Sequence, residues 1–418
     1  MPAMLRTFKR HDAANSGHGG LPLSGTQAKA SEGEQAAPLV FRSAAFPTPV
    51  ASLPLPDDLS REVYSILGIP VDAIGMQAVL RRIESAADRR VPFLISAPNL
   101  NSLVISQSDA EFRETLVQSD LCTADGMPII WIARLTGIPI KSRIAGSDIF
   151  DALKAEHSAV NPLKIFLFGG PEGAAEAAVR TLNRQPSGVY CVGWYYPGFC
   201  SAEEMSRDGI IDIVNSSGAD FVVAALGNQK GQLWLQRNHR RLSIPVRAHL
   251  GATVNFQAGT VKRAPRVMRK FGLEWLWRIK EEPYLWRRYW NDGRVLLRLL
   301  FAQLLPFAFW TWWLRHRHER NEDFSITWVQ GRDTVILHLS GPANARHVDK
   351  AISAFREAIA SKKQITLDFS NTRTVDARFL GLLLMLKKKL KNAGAAPNFQ
   401  GLSPHLKRIF RLSGLHFK

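Results

Sequence analysis

Two rhythms of apolar and polar residues run along most of this chain and predict alternating strands and helices. A first strand is predicted near residues 64–69, a helix over 76–89 and a strand over 92–96. Residues 101–117 place Leu103, Val104, Phe112 and Leu116 on a 3.6-residue period and predict one helix. A β-like approach then ends in Thr123-Ala124-Asp125-Gly126-Met127-Pro128, followed by a helical apolar run and a helix over 147–157. Further on come strands over 164–168, 189–193, 220–226 and 246–250, with helices to about 183, over 202–215 and over 232–240. Short apolar strands alternating with helices predict an α/β fold, a Rossmann-like and mostly parallel sheet with helices on both faces. A second α/β unit reads strand (325–329), strand (334–340), helix (346–361), strand (364–369), helix (378–392), strand (398–401) and helix (404–412).

The stretches that break this rhythm divide the chain. Residues 1–60 are rich in Ala, Ser, Gly and Pro without sustained periodicity, so they are expected to be disordered. The large α/β region is expected over 61–260, a basic tryptophan-rich appendage over 261–320 and the last α/β unit over 321–418. Seven of the eleven tryptophans fall between Lys262 and Arg320, beside 14 Lys/Arg and only 5 Asp/Glu. That segment carries half of the chain's formal charge of +18. Inside it, residues 299–314 are nearly all apolar and are flanked by Arg294, Arg298, Arg315 and Arg317. Sixteen residues fall short of the ~20 needed to span a bilayer. An interfacial or re-entrant membrane segment is therefore expected, the alternative being a helix packed on the neighbouring domain. Basic residues interleaved with tryptophans fit an anionic membrane surface and argue against nucleic acid. Three cysteines (Cys122, Cys191, Cys200) form no disulfide framework or metal spacing, and the basic N-terminus lacks the apolar core of a secretory signal. A reducing, cytoplasmic setting is expected.

Chemistry is expected where strands end. Asp125 closes a strand and can serve as an acid or base, or simply cap the helix that follows. Asn99 stands between a strand and a helix, placed to cap that helix or to hydrogen-bond a sugar hydroxyl. Gly169-Gly170-Pro171-Glu172-Gly173 lets backbone approach a phosphate at a helix start. Gly227-Asn228-Gln229-Lys230-Gly231-Gln232 reads as a third polar loop, and three such loops suggest a shared crevice. Neither a zinc spacing, a Gly-x-Ser-x-Gly elbow nor an Asp-x-Asp metal pair is found.

With these pieces, residues ~64–290 resemble the WecG/TagA/CpsF glycosyltransferases (glycosyltransferase family 26). The resemblance rests on Ala124-Asp125-Gly126-Met127-Pro128, Arg143-x-x-Gly146-x-Asp148, Leu167-Phe168-Gly169-Gly170, and Leu226-Gly227 with Lys230 and Trp234. It continues in Gly251–Gly259, Lys262-Arg263-Ala264-Pro265, Gly272-Leu273-Glu274-Trp275-Leu276-x-Arg278, Glu282-Pro283 and Arg287-Arg288-Tyr289. It implies inverting transfer of a sugar from a UDP-sugar to a polyprenyl-diphosphate-linked glycan, without a metal or other cofactor, at the cytoplasmic face of a bacterial inner membrane. The product would belong to an exopolysaccharide or related surface glycan. Asp125 would be the general base and Asn99 would orient a sugar hydroxyl. Arg143, Asp148, Gly169, Gly170, Gly227, Lys230 and Asn255 would bind substrate. Arg263, Arg278, Arg287 and Arg288 would grip UDP and the lipid diphosphate, and a homo-oligomer is expected. The chain departs from the family at Ala97 (commonly Thr), Gln229, Gly231, Gln232 and Asn255 (usually Asp). The rival expectation is therefore a non-catalytic sensor of a nucleotide sugar or lipid intermediate.

The last unit resembles a STAS domain through Thr374-Val375-Asp376-Ala377-Arg378-Phe379-Leu380-Gly381-Leu382. Phosphorylated members carry Ser after the Asp. Here Ala377 stands there, so no phosphoswitch operates at that residue, and Arg378 is expected to present a positive charge to a protein partner. The plainer alternative is a structural appendage docked on the transferase domain.

Overall fold

The structure, a computed structural model, describes residues 57–309 and 323–415. The disorder expected for residues 1–56, and the Trp310, Trp312, Trp313 and Arg315–His318 end of the apolar segment, lie outside the described residues.

A parallel six-stranded sheet forms the centre. Its strands are β3 (Phe93–Ser96), β4 (Leu121–Cys122), β5 (Leu163–Gly169), β6 (Val189–Tyr195), β7 (Phe221–Ala225) and β8 (Val246–His249), in the order β4-β3-β8-β7-β5-β6. All five pairings are parallel. Strand β7 is buried at every position, which explains its unbroken apolar reading: helices cover both faces, so neither face needs polar residues. Phe166, Phe168, Val222 and Ala224 point into one apolar layer, and Ile165, Leu167, Phe221 and Val223 into the other. The chain lays β4 on one side of β3, builds β5 and β6 at the far edge, and fills the gap with β7 and β8. Open sheets of this kind bind ligands outside the carboxyl ends of their strands, which here brings the ends of β3, β4 and β8 side by side.

Several elements differ from the reading of the sequence. Ahead of the sheet, the strand predicted near 64–69 is an antiparallel hairpin, β1 (Val63–Ile66) and β2 (Ile69–Asp72). Its turn is Leu67-Gly68, both at positive φ (48° and 88°). A Cβ on Gly68 would lie 2.9 Å from the Ser413 carbonyl carbon, so only glycine fits. Residues 58–60, inside the stretch expected to be disordered, form a 3-10 turn with Leu59 buried. The helix predicted over 101–117 is two, Leu100–Ser108 and Ala110–Val117, because Asp109 caps the second by accepting from the Phe112 amide at 2.9 Å. The supposed loop at Gly227–Gln232 is mostly the first turn of a helix, Asn228–Arg237.

After helix Gly251–Ala258, short helices Arg266–Lys270 and Glu274–Glu281 lead to the longer Trp286–Leu299, which continues through a π-helical turn at Leu300–Leu304. Among the described residues no helix is long and apolar enough to cross a membrane.

The last unit is a four-stranded sheet in the order β12-β11-β10-β9, built from β9 (Ser325–Gln330), β10 (Thr334–Ala343), β11 (Gln364–Val375) and β12 (Asn398–Gln400). Helices Val348–Ala360, Ala377–Asn392 and Pro404–Leu412 pack against it. Its apolar core also takes in Leu59, Val63 and Val117, so it merges with the first part of the chain. Helix Ala377–Asn392 is buried on nearly all sides because hairpin β1–β2 lies across it. Gly381 allows the approach: a Cβ there would sit 2.1 Å from the Val63 carbonyl oxygen. Arg378, expected to face a partner, is instead buried, donating to that same carbonyl at 3.1 Å with its guanidinium 6.0 Å from the Tyr64 ring centre. The partner it meets is the chain's own hairpin.

Candidate active site

Asp125 follows β4 on a loop held at both ends. Its amide donates to Pro98 O at 3.1 Å, and Ile144 N donates to Ala124 O at 2.9 Å. The helix Met127–Leu135 is not capped by Asp125. Gly126 holds that position at φ 88°, a conformation natural to glycine, and leaves the carboxylate free of the helix. A quarter of the Asp125 side-chain surface stays open to water, yet the protein packed round it desolvates the charge. Burial is the first cause that pushes this carboxyl up to about 7, opposed by Arg143 and reinforced by Glu274 and Asp148.

Arg143 is the organising cation. Its Nη2 donates to Asp148 Oδ2 at 2.9 Å and its Nη1 to Glu274 Oε2 at 2.8 Å, while Asp125 Oδ1 stands 3.9 Å from Nη1. Asp148 lies in the first turn of helix Gly146–Glu156, where a carboxylate suits the helix dipole. Its second oxygen accepts from Arg263, which also pairs with Asp151 and donates to Ser147 Oγ at 2.9 Å. Arg269 approaches the same oxygen at 3.7 Å. Arg278 bonds Glu282 at 2.6 Å and lies close enough to Asp125 to act on its charge. The structure thus gathers Asp125, Arg143, Asp148, Arg263 and Arg278. Arg287 and Arg288 are exposed, over the Trp286 ring (5.7 Å) and the Tyr289 ring (5.1 Å), and belong to the outer surface.

The remaining predicted residues line the strand ends. Asn99 caps helix Leu100–Ser108: its Oδ1 accepts from Ser102 N at 3.1 Å, so that oxygen is committed to the helix. Gly169 and Gly170 turn at φ 89° and 96° after β5, and a Cβ on Gly169 would lie 2.7 Å from Leu226 Cδ2. Gly227 precedes helix Asn228–Arg237, and Lys230 donates to Cys200 O at 2.9 Å. On helix Gly251–Ala258, Asn255 holds a buried Oδ1 without a hydrogen-bond partner.

Each departure near Gly227 has a physical counterpart. Gln229 donates to Asp109 at 2.5 Å. Gly231 makes room for His249, whose ring carbon would lie 2.2 Å from a Cβ there; the ring bonds Leu226 O at 2.6 Å. Gln232 is buried and accepts from Ser96 Oγ at 3.0 Å, a role a neutral amide fills without burying a charge. Two partnerships escaped the sequence reading. Glu274 was visible only as a motif letter. Asp292, buried on Trp286–Leu299, accepts from Asn101 Nδ2 at 3.2 Å, and Asn101 Oδ1 accepts from Asn228 at 3.2 Å. No periodicity marks such contacts, because they join elements 127 to 191 residues apart.

The segment from Arg266 to Phe309 turns apolar side chains outward. Trp286, Trp290, Leu297 and Phe301 follow at helical spacing on one exposed face, with Trp290 65% exposed, between exposed Arg287, Arg294 and Arg298. Gly272, at φ 75°, lets this segment approach Met127 on the helix that follows Asp125. The exposed apolar face and the carboxylate therefore sit on adjoining elements.

Two regions of the chain are similar to known proteins. The glycosyl transferase WecG/TagA/CpsF family profile matches residues 64–308, and the Mlab, STAS domain profile matches residues 326–416. An N-acetylglucosaminyldiphosphoundecaprenol N-acetyl-beta-D-mannosaminyltransferase of Bacillus spizizenii is 26% identical over 47% of this chain and 74% of its own length. The enzyme of the same name from Bacillus subtilis strain 168 is 25% identical over 51% of this chain and 81% of its own. The solved structure of the anti-sigma factor antagonist SpoIIAA in its unphosphorylated form matches 21% of this chain and 82% of that one, with 21% identity and a TM-score of 0.19. The chain belongs to the WecG/TagA/CpsF family of glycosyltransferases and carries a STAS domain after the transferase region.

Proposed function

We propose that this enzyme transfers an N-acetylhexosaminyl or hexosyl unit from a UDP-sugar to a polyprenyl-diphosphate-linked sugar, as a step in building a bacterial surface glycan such as an exopolysaccharide. Asp125 carries the reading: a carboxylate at a strand end, raised to about 7 by burial, beside a helix that packs with the segment bearing exposed tryptophans. In the reaction the acceptor hydroxyl loses its proton to Asp125 as its oxygen bonds to the anomeric carbon. The bond from that carbon to the diphosphate breaks, and UDP leaves with the electron pair. Arg278 and the Arg143 cluster offset charge on the departing diphosphate, in place of a metal ion. Asn99, Lys230 and Asn255 border the donor side. The outward Trp and Arg side chains of Trp286–Leu299 seat the enzyme at an anionic membrane surface, on the side where the lipid-linked acceptor is held. Because the base works ionised, the rate rises with pH through about 7.

The test is UDP release by vesicle-reconstituted protein with a panel of UDP-sugars and a short polyprenyl-diphosphate glycan. One donor should support release, unaffected by a chelator, and Asp125→Asn should lower it by about 10²–10⁴-fold. Binding of UDP-sugars without release from any of them would replace this reading with that of a sensor.

A further inference from the structure

Arg143 could pair fully with Asp125, and it does not. Its Nη1 is 3.9 Å from Asp125 Oδ1 but only 2.8 Å from Glu274 Oε2, and its Nη2 is engaged by Asp148 at 2.9 Å. Asp148 belongs to the sheet domain and is in turn held by Arg263, with Arg269 at 3.7 Å, both from the appended segment. Glu274 comes from that same appended segment and meets Arg143 directly. It opens helix Glu274–Glu281, in the stretch laid across Met127 through Gly272. A direct Arg–Asp pair would favour the ionised carboxylate strongly and make it a poor acceptor of protons.

We propose that Glu274 is a positioning residue that engages Arg143 in place of Asp125, so that seating this segment on the sheet domain leaves Asp125 able to take a proton. The proposal rests on Asp125 being the base. The charged groups facing Asp125 are Arg143 and Asp148 from the sheet domain, and Glu274 and Arg278 from the appended segment; Arg278 has its own counter-ion in Glu282. Removing the Glu274 charge leaves Arg143 Nη1 to move toward the one carboxylate within its reach that lacks a close partner.

The experiment compares wild type, Glu274→Gln and Glu274→Asp as full-length protein in vesicles, following UDP release against pH. The Asp125 carboxyl is also titrated directly by carbon-13 NMR, a measurement that needs folded protein but no turnover. Wild type should show a midpoint near 7. In Glu274→Gln both midpoints should move down by about one unit, with a lower plateau rate. Glu274→Asp should restore the wild-type midpoint. A Glu274→Gln variant that is slower but titrates at the wild-type midpoint would overturn the positioning role and leave the base intact. A wild type whose rate ignores pH near neutrality, or survives Asp125→Asn, would remove the base and the proposal together.

Discussion

The C-terminal half of this chain presents two surfaces built on opposite principles. Where helix Ala377–Asn392 meets the hairpin, charge is buried and paired. Lys388, 2% exposed, reaches Asp58 at 2.9 Å and Asp120 at 2.8 Å, and donates to Ser119 O at 3.2 Å. Arg61 joins the same cluster through Asp58 at 2.9 Å and Asp72 at 2.8 Å. Along Trp286–Leu299 the reverse holds: apolar rings face outward and arginines flank them. A buried charge cluster tolerates no loss of a member, because the remainder is left uncompensated in a desolvated site. An outward aromatic row contributes little to the fold and is available for a surface elsewhere. The first arrangement makes the STAS domain part of the enzyme's body, and the second leaves one face of the appended helix uncovered.

The largest break in this contrast should come from Lys388→Met. Leaving Asp58 and Asp120 without their ammonium should cost about 3–5 kcal/mol in denaturant unfolding. Burial alone would raise the Asp120 carboxyl, and Lys388 holds it below its usual range. Its share of stability is therefore present above the ordinary carboxylate range and is lost as pH falls through the lowered value. Gly381→Ala should come next, at about 1–3 kcal/mol, by forcing the hairpin off the helix. Unchanged stability in either variant would mean the two regions are not one packed unit. At the other surface, the double change Trp286→Ser, Trp290→Ser should shift unfolding by no more than about 0.5 kcal/mol. It should weaken flotation with anionic vesicles by more than about tenfold, since each ring buries roughly 1.5–3 kcal/mol of apolar surface. Flotation unchanged by that pair would remove this face as a membrane contact.

Much of the fold was legible because parallel strands covered on both sides read as unbroken apolar runs, as at β5 and β7. The STAS unit was legible from its strand and helix order. What escaped was short or distant. Asp109 splits a helix whose apolar period continues across the break, so periodicity alone joined the halves. The Leu67-Gly68 turn hides inside an apolar stretch because both hairpin strands are buried, one of them under a helix some 315 residues later. At the site, Asp125, Arg143 and Asp148 were marked by their motif, and the structure joins Arg143 to both. Arg287 and Arg288 carried the same motif signal yet face outward, since a basic letter does not say which side of a helix is docked. Ala377 and Arg378 were read as a lost switch with an outward charge. Only the neighbouring hairpin shows that the charge is turned inward.

The hairpin has a consequence for synthesis. It is made before the helix that covers it, from which some 315 residues separate it. At roughly 5–20 residues per second, translation leaves about 15–60 s between the two. Throughout that interval the sheet domain can assemble, but the apolar back of β1 has nothing to rest on and the acidic cluster lacks Lys388. The nascent transferase region thus stays unfinished until the STAS domain emerges and closes it.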